Sequence, residues 1–277
     1  MIDKEIFTKF DKGLDKSMLP FSISKVKKWK SNQAQFVLTY IYGYPRTTNH
    51  AMERGNAVEF GLHQMFTKSA NSNECFDTAI NYFKSATSFL EEDPDDKQYN
   101  MIAPMVEQCF DMLSPYKDSF LSFQGRIDTS IMGVPFYGFT DFVFEKEDEI
   151  LIVDLKTKQK FMPVHDDMLQ MAVYKKAFDE NFEKPVNVKM LICTPKRCEF
   201  VNYIPDEKYI KEIEMNLFQC ANVFNACNIA DDLKSFCPPK LDETRNCWKG
   251  YQQDCIDSAT KELEKKNDNK KGLYKNK

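Results

Sequence analysis

The segment at residues 138–160, GFTDFVFEKEDEILIVDLKTKQK, constrains the fold more than any other part of this chain. Two apolar runs, at 139–144 and 150–153, have the length and composition of β-strands. Charged residues at 147–149 separate the two runs and predict a short connection. The segment therefore predicts a β-hairpin, and any fold for this chain must place these two strands side by side in a sheet.

Acidic and basic side chains stand on both predicted strands. Asp141 comes thirteen residues before Asp154, and the hairpin brings the two to neighbouring positions on one sheet. Lys156 follows Asp154 by two residues, so both side chains project from the same face. Two carboxylates beside an ammonium group suit a hard divalent cation. A D-x-K pattern alone is more often part of an ordinary charged hairpin, so the flanking segments decide between the two interpretations.

A helix is predicted upstream of the hairpin, over residues 50–67. Its sequence contains Gly55, then Glu59 one turn later, then His63 after another turn. Glu59 and His63 are four residues apart and therefore share one face of the helix. Either side chain could join the two aspartates, and helical geometry alone does not separate them.

A second helix is predicted after the hairpin, over residues 166–181, and it begins with two acidic residues. It carries Gln170 and Tyr174, which are one turn apart. Two further strands are predicted at 186–194 and 199–204. The order is thus helix, two or three strands, helix and two strands, which indicates an α/β fold.

This order of elements and motifs, over about residues 20–205, resembles the RecB-like branch of the PD-(D/E)XK nuclease superfamily, which includes phage recombination exonucleases. The resemblance implies that Asp141 and Asp154 bind Mg²⁺ or Mn²⁺ and that the backbone carbonyl of Leu155 adds a ligand. It implies that Lys156 positions or activates the attacking water. These three residues, Asp141, Asp154 and Lys156, are the expected catalytic set.

The same resemblance assigns roles to the two flanking helices. Gln170 and Tyr174 form the Gln-x-x-x-Tyr pattern that lies along the DNA path in RecB-like proteins. One acid or histidine of the upstream helix completes the metal site, and Glu59 holds the position where phage exonucleases have glutamate. His63 is then a residue that supports the metal ligands, contacts DNA or simply packs against its neighbours.

The charge of the chain limits how it can meet nucleic acid. With 38 Lys and Arg against 42 Asp and Glu, the formal net charge is -4, which argues against nonspecific coating of DNA. A local groove remains possible, because phosphate attraction depends on where the cations sit. Lys158 and Lys160 continue the alternation from Lys156 at the end of the acidic strand, and they are the expected phosphate contacts.

The expected architecture is one α/β domain with a mixed central β-sheet flanked by helices, a restriction-endonuclease-like core with added N- and C-terminal helices. The domain is predicted over 1–257, with the core at about 20–205 and a helical extension at 206–257. The Lys-rich segment at 258–277 has the composition of a disordered tail.

Further helices are predicted at 75–91, 98–113 and 206–226 from their apolar spacing. One N-terminal helix is expected to begin after a serine cap and to end at Gly43 and a proline. Its Trp29 is expected in the core rather than as a platform for stacking nucleobases.

The nine cysteines are expected as free thiols, since the N-terminus lacks the apolar core of a signal peptide. An iron-sulfur cluster, which some RecB-like proteins hold, is disfavoured. Cys237, Cys247 and Cys255 are widely spaced, and no cysteine precedes Cys75. No apolar run approaches the ~20 residues of a membrane helix, so a cytoplasmic protein is expected, in the host cytoplasm if phage-encoded.

Together these features predict a Mg²⁺-dependent or Mn²⁺-dependent deoxyribonuclease that acts as an exonuclease on the free ends of duplex DNA in recombination. An endonuclease that cuts at a sequence or structure is the first alternative. A DNA-binding or adaptor protein that keeps the fold without cutting is the second. DNA is the expected partner. A second copy of the chain and a phage recombination protein are further candidates, and the oligomeric state stays open.

Overall fold

The computed structural model of this protein describes residues 20–40, 48–90 and 93–226. The described residues fall into two compact units. One unit draws its residues from Thr47–Thr129 and Tyr137–Ile210, and the other contains Ser130–Phe136 with the described residues before Thr47 and after Ile210. The single domain at 1–257, with its 206–257 extension, stays a prediction. The predicted tail at 258–277 lies outside the described residues.

A five-stranded sheet forms the centre of the fold, with its strands in chain order from one edge to the other. The strands are β1 (Phe120–Ile131), β2 (Val134–Glu145), β3 (Ile150–Thr157), β4 (Val186–Thr194) and β5 (Arg197–Asn202). β2 with β3 and β4 with β5 are antiparallel pairs, whereas β3 and β4 are parallel. The predicted hairpin and the mixed character of the sheet are both confirmed.

Helices precede, interrupt and follow the strands. They are α1 (Ile23–Ser31), α2 (Gln33–Tyr40), α3 (His50–Thr67), α4 (Ser72–Thr87), α5 (Asp96–Leu113), α6 (His165–Asn181) and α7 (Glu207–Ala226). Helix α6 is the crossover that parallel pairing of β3 and β4 requires. Among the described residues, the structure has no helix that is both long and apolar enough to cross a membrane.

The larger unit has an apolar layer on each face of the sheet. Alternate residues such as Phe142, Leu151 and Val153 pack with helices α3, α4 and α5. Their neighbours Val143 and Ile152 instead pack with α6. Because both faces are covered, β3 is buried along Ile150–Leu155 and its sequence is continuously apolar up to the acidic residue. Asp154 and Lys156 therefore stand at the end of a buried strand.

The N-terminal segment differs from the single helix predicted for it. Ser22 caps α1 as expected, since its hydroxyl accepts a hydrogen bond from the Lys25 N–H at 3.4 Å. Asn32 then takes an extended conformation with φ -159° and ψ 97°, and this separates α1 from α2. Trp29 and Phe36 are buried with ring centroids 5.4 Å apart, which confirms the predicted core role of Trp29. The predicted end at Gly43 lies outside the described residues.

Side-chain caps set helix starts that differ from the predictions by two or three residues. Asn71 and Glu74 form a reciprocal capping box, so α4 begins at Ser72 rather than at 75. Asp95 caps α5 through the Gln98 N–H at 3.0 Å, so this helix begins at Asp96. The described cysteines are free thiols, as expected, whereas Cys237, Cys247 and Cys255 lie outside the described residues.

Candidate active site

Asp141 is held at the point where β2 and β3 meet. The register pairs Phe142 with Val153, so Asp141 and Asp154 occupy the next step of the same ladder. The Leu155 N–H donates a hydrogen bond to Asp141 Oδ2 at 2.7 Å. This bond fixes the Asp141 carboxylate against the backbone of the strand that carries Asp154.

Asp154 is a fully buried carboxylate with two different partners. Its Oδ1 accepts a hydrogen bond from Gln170 Nε2 at 3.0 Å. Its Oδ2 forms an ion pair with Lys156 and has no other partner of good hydrogen-bond geometry within the described part of the chain. Since an isolated buried carboxylate is costly, this oxygen needs positive charge beside it.

Lys156 supplies part of that positive charge. Its ammonium group contacts Asp154 and also donates to Gln170 Oε1 at 3.4 Å. Burial opposes the charge, but the carboxylates of Asp154 and Asp141 raise the pKa of Lys156 above its usual value. The charged form of the Lys156 amine is therefore favoured beside Asp154.

Helix α3 brings Glu59 to the same place. A Cβ atom on Gly55 would lie only 2.9 Å from Thr157 Oγ1, so glycine lets the helix pass close to the end of β3. One turn later, Glu59 Oε1 accepts a hydrogen bond from Gln124 Nε2 at 3.0 Å. Burial raises the pKa of Glu59, the bond from Gln124 opposes this, and the charge of Asp154 adds to the rise.

The three carboxylates carry more negative charge than their protein partners neutralise. Burial, followed by the charges of Asp154 and Glu59, holds the pKa of Asp141 well above its usual range, although Lys156 opposes the shift. One lysine thus faces three acids. Carboxylate oxygens are the preferred ligands of Mg²⁺ and Mn²⁺, so this set of residues fits a hard divalent cation.

Gln170 and Tyr174 form a relay from helix α6 to the sheet. Gln170 Nε2 donates to the Tyr174 hydroxyl at 2.5 Å, and that hydroxyl donates to the Phe139 carbonyl at 2.5 Å. A Cβ on Gly138 would lie 3.2 Å from the Tyr174 ring, so glycine makes room for the buried tyrosine. The pair orients Asp154 from inside the protein, and its predicted contact with DNA stays a prediction.

The two lysines predicted to contact DNA differ in their surroundings. Lys158 forms an ion pair with Asp167 and donates to the Met162 carbonyl at 3.1 Å. Asp167 also accepts from the Val164 N–H at 3.1 Å, so these contacts tie the loop after β3 to the start of α6. Lys160 is exposed in that loop. The predicted phosphate contacts of Lys158 and Lys160 stay predictions.

His63 lies one turn beyond Glu59 in an aromatic environment. Its ring stacks on Phe123 with centroids 4.0 Å apart and an interplanar angle of 12°. Burial, with a smaller contribution from Lys68, lowers the pKa of His63. These contacts describe a packing role for His63. Glu59 instead interacts electrostatically with Asp154 and Asp141. The assignment of Glu59 as the metal ligand stays a prediction.

Gln124 was not identified from the sequence. It lies within β1 with a left-handed φ of 45°, which a non-glycine residue rarely adopts, and it donates to Glu59. The pair Gln124–Gly125 was the available signal, because a glycine in a strand often accompanies an irregularity. Asp167, the partner of Lys158, was missed for a different reason, since it looked like an ordinary acid of the first helical turn.

The family model of the PD-(D/E)XK nuclease superfamily matches residues 20–265. The chain belongs to this superfamily. The match confirms the predicted superfamily, and the RecB-like branch is compatible with it. Nucleases of the superfamily generally use divalent metals such as Mg²⁺ or Mn²⁺.

Solved structures show that this PD-(D/E)XK chain has the expected fold. A protein from Eubacterium rectale proposed to be an exonuclease is 15% identical, with a TM-score of 0.50. The match covers 80% of this chain and 88% of that one. A second structure, SSO0001, is 13% identical over 79% of this chain and 96% of its own, but its TM-score of 0.34 is too low to support an argument. A search of curated proteins found no significant match.

Proposed function

We propose that this nuclease is a Mg²⁺-dependent or Mn²⁺-dependent deoxyribonuclease that hydrolyses phosphodiester bonds from the ends of DNA. The observation that carries the proposal is the convergence of three carboxylates on a single lysine at the end of β3. A scaffold without catalytic chemistry has no need for a mutually repelling set of acids that includes the fully buried Asp154. Such a set is typical of sites where a cation and a phosphate meet.

The acids would hold the cation. Asp141, Asp154 and Glu59 offer oxygen ligands, and the Leu155 carbonyl is the fourth proposed ligand. A divalent cation bound there polarises the phosphate and lowers the pKa of a coordinated water. The Leu155 N–H keeps Asp141 in place, and Gln124 keeps Glu59 in place, so both carboxylates are oriented before any ligand arrives.

Lys156 would stabilise the negative charge of the phosphate rather than remove a proton from water. Its raised pKa keeps it charged, and its contact with Asp154 holds it beside the proposed cation position. A fixed positive charge at that point stabilises the negative charge that develops on a phosphate during hydrolysis. Gln170 contacts both Asp154 and Lys156 and therefore sets the spacing of the pair.

DNA ends are the proposed substrate for two reasons. The motif set resembles that of recombination exonucleases, and the protein from Eubacterium rectale with the same fold is itself a proposed exonuclease. Exposed Lys160 is the proposed phosphate contact beside the site. A role in phage-type recombination, a homo-oligomeric state and a cytoplasmic location stay predictions.

The test uses the purified full chain with linear, nicked and covalently closed duplex DNA, each with Mg²⁺ and with chelator. Loss of the linear form alone, only when Mg²⁺ is present, is the expected result. Loss of the closed circle would replace the exonuclease proposal with an endonuclease. Equal cleavage in chelator would contradict the metal requirement, and binding without cleavage in every condition would leave the adaptor as the function.

A further inference from the structure

Three cysteine side chains meet at a place that the nuclease site does not use. Cys109 lies on α5, Cys193 on β4 and Cys198 on β5. Their sulfur atoms all lie within 4.8 Å of one another. Cys109 and Cys193 are fully buried, and Cys198 is partly exposed. One side of the cluster thus opens toward solvent while the rest belongs to the apolar core.

The backbone holds these three residues in register. Cys193 and Cys198 are directly opposite each other in the antiparallel pairing of β4 with β5. The turn between them is closed by Thr194, whose hydroxyl accepts from the Arg197 N–H at 3.0 Å. Gln108, next to Cys109, donates to the Thr194 carbonyl at 3.1 Å and ties α5 to the same turn.

The cluster lies on the face of the sheet opposite Asp154. Cys193 belongs to the core layer of helices α3 to α5, whereas Asp154 is bonded to Gln170 of α6 on the other face. The two sites are nevertheless linked through backbone, because the Lys158 N–H donates to the Cys193 carbonyl at 2.8 Å. The cysteine cluster is therefore a separate site beside the strand that ends in the catalytic residues.

The distance between two of the sulfur atoms is close to that between two ligands of one metal ion. Cys109 Sγ and Cys198 Sγ are 3.6 Å apart, whereas a disulfide bond is about 2.05 Å long. Zinc-sulfur bonds of about 2.3 Å place two sulfur ligands roughly 3.8 Å apart in a tetrahedral site. All three sulfur atoms lie within 4.8 Å of one another, so a bound cation would need to draw them only slightly closer.

The exposure of the three cysteines gives the cluster an accessible side. Cys109 and Cys193 are enclosed by the apolar core, whereas Cys198 is partly exposed. The Cys198 side is therefore the route by which a cation would reach the three sulfur atoms. Thiol ligands lose their protons when a metal binds, so metal binding at this cluster should depend on pH.

We propose that Cys109, Cys193 and Cys198 bind one thiophilic d¹⁰ cation, Zn²⁺ or Cu(I), as a three-sulfur site that is independent of the carboxylate site. Sulfur ligands select such ions over Mg²⁺, and an apolar surround strengthens the preference. Cu(I) is satisfied by three sulfurs, while Zn²⁺ takes a fourth ligand from solvent on the Cys198 side. Binding releases the thiol protons and clamps α5 to the β4–β5 turn.

The experiment compares the full-length wild type with Cys198→Ser and with Cys75→Ala. Cys198 is the most exposed member of the cluster, so its substitution disturbs the core least. Cys75 is a buried cysteine on α4 outside the cluster and serves as the matched control. Each protein is reduced, freed of metal and titrated with Zn²⁺ or Cu(I) against a competing chelator, in excess Mg²⁺ to occupy the carboxylates.

Wild type and Cys75→Ala are expected to bind one more equivalent of Zn²⁺ or Cu(I) than Cys198→Ser does. If the stoichiometry is the same, they are expected to bind the ion at least about 100-fold more tightly. X-ray absorption of the loaded wild type should show three sulfur neighbours at about 2.3 Å, a result that does not depend on any variant folding. Equal binding by wild type and Cys198→Ser would overturn the proposal. A Cys109–Cys198 disulfide that forms in place of metal binding would overturn it as well.

Discussion

At the scale of single residues, Asp154 combines complete burial with contacts to both Lys156 and Gln170. We expect Asp154→Asn to reduce cleavage by a factor on the order of 10³ or more, because an amide is a poor ligand for a hard cation. DNA binding should be kept or improved, since a negative charge near the phosphate is removed. Cleavage rates and fluorescence anisotropy measure the two effects. Asp128→Asn, an exposed acid paired with Arg126 on β1, is the control.

Lys156 tests whether the fixed positive charge contributes to catalysis. We expect Lys156→Ala to lower the cleavage rate by about 10² to 10³, the usual loss when one group that stabilises the transition state is removed. Lys160→Ala should weaken DNA binding without a comparable change in the single-turnover rate, because Lys160 is exposed and lies in the loop after β3. Wild-type cleavage by Lys156→Ala would show that the D-x-K assignment is wrong.

At the scale of elements, helix α3 presents two candidate ligands, and the structure gives them different neighbours. Glu59 accepts a hydrogen bond from Gln124, and the charge of Asp154 contributes to its raised pKa. His63 instead stacks on the ring of Phe123. We expect Glu59→Gln to impair cleavage at least as severely as Asp141→Asn, and to raise the Mg²⁺ concentration required. His63→Ala should retain measurable activity. The reverse order in a Mg²⁺ titration would assign the ligand to His63.

Tyr174 on helix α6 tests whether the Gln170–Tyr174 pair orients Asp154 or contacts DNA. Tyr174→Phe removes a hydroxyl that joins Gln170 to the Phe139 carbonyl. We expect a loss of stability of about 1 kcal/mol and a roughly tenfold slower cleavage rate, with DNA affinity unchanged because the ring is buried. Tyr99→Phe on α5 is the control. A large loss of DNA affinity in Tyr174→Phe would instead support the predicted contact with DNA.

Some helices and strands could be predicted from the sequence alone, and others could not. The β2–β3 hairpin and helix α3 were predictable, because their apolar spacing and turn residues are local signals. The break at Asn32 was not, because an extended residue between two helical stretches leaves the apolar spacing nearly intact. Strand β1 was hard to locate because many of its residues are polar, although their exposure to solvent alternates along the strand. Such signals fail where the conformation depends on tertiary packing.

Contacts between side chains that are distant in the sequence could not be predicted either. Cys109 lies far from Cys193 and Cys198 in the sequence, and only the packing of α5 on the β4–β5 pair brings the three together. The contact between Gln124 and Glu59 has the same character, since it depends on an unusual backbone conformation in β1. Asp141 and Asp154 were identifiable as candidates because they lie on one hairpin. Gln124 was not, because it comes from a distant segment.

At the scale of the whole molecule, the charge of the candidate site couples stability to pH and to metal. The pKa values of Asp141 and Glu59 are raised, chiefly by burial. A carboxyl group whose pKa is raised in the folded state favours folding while it is protonated, so this contribution is lost as pH rises through the raised pKa. The metal-free protein should therefore lose stability as pH rises above the ordinary carboxyl range.

Mg²⁺ should restore the stability that the metal-free protein loses as the acids ionise. Protons compete with the cation for the same oxygens, so the stabilisation by Mg²⁺ should grow as pH rises from about 5 to about 8. At a concentration near 100 times the dissociation constant, the expected gain is about 2.7 kcal/mol, or roughly 5–10 °C in the melting temperature of a domain this size. Thermal melts across this pH range, with Mg²⁺ and with chelator, measure the difference. Asp141→Asn removes one of the acids with a raised pKa, so its curve in chelator should be flatter than that of wild type. A Mg²⁺ effect that is independent of pH in wild type would mean that the cation does not bind at these carboxylates.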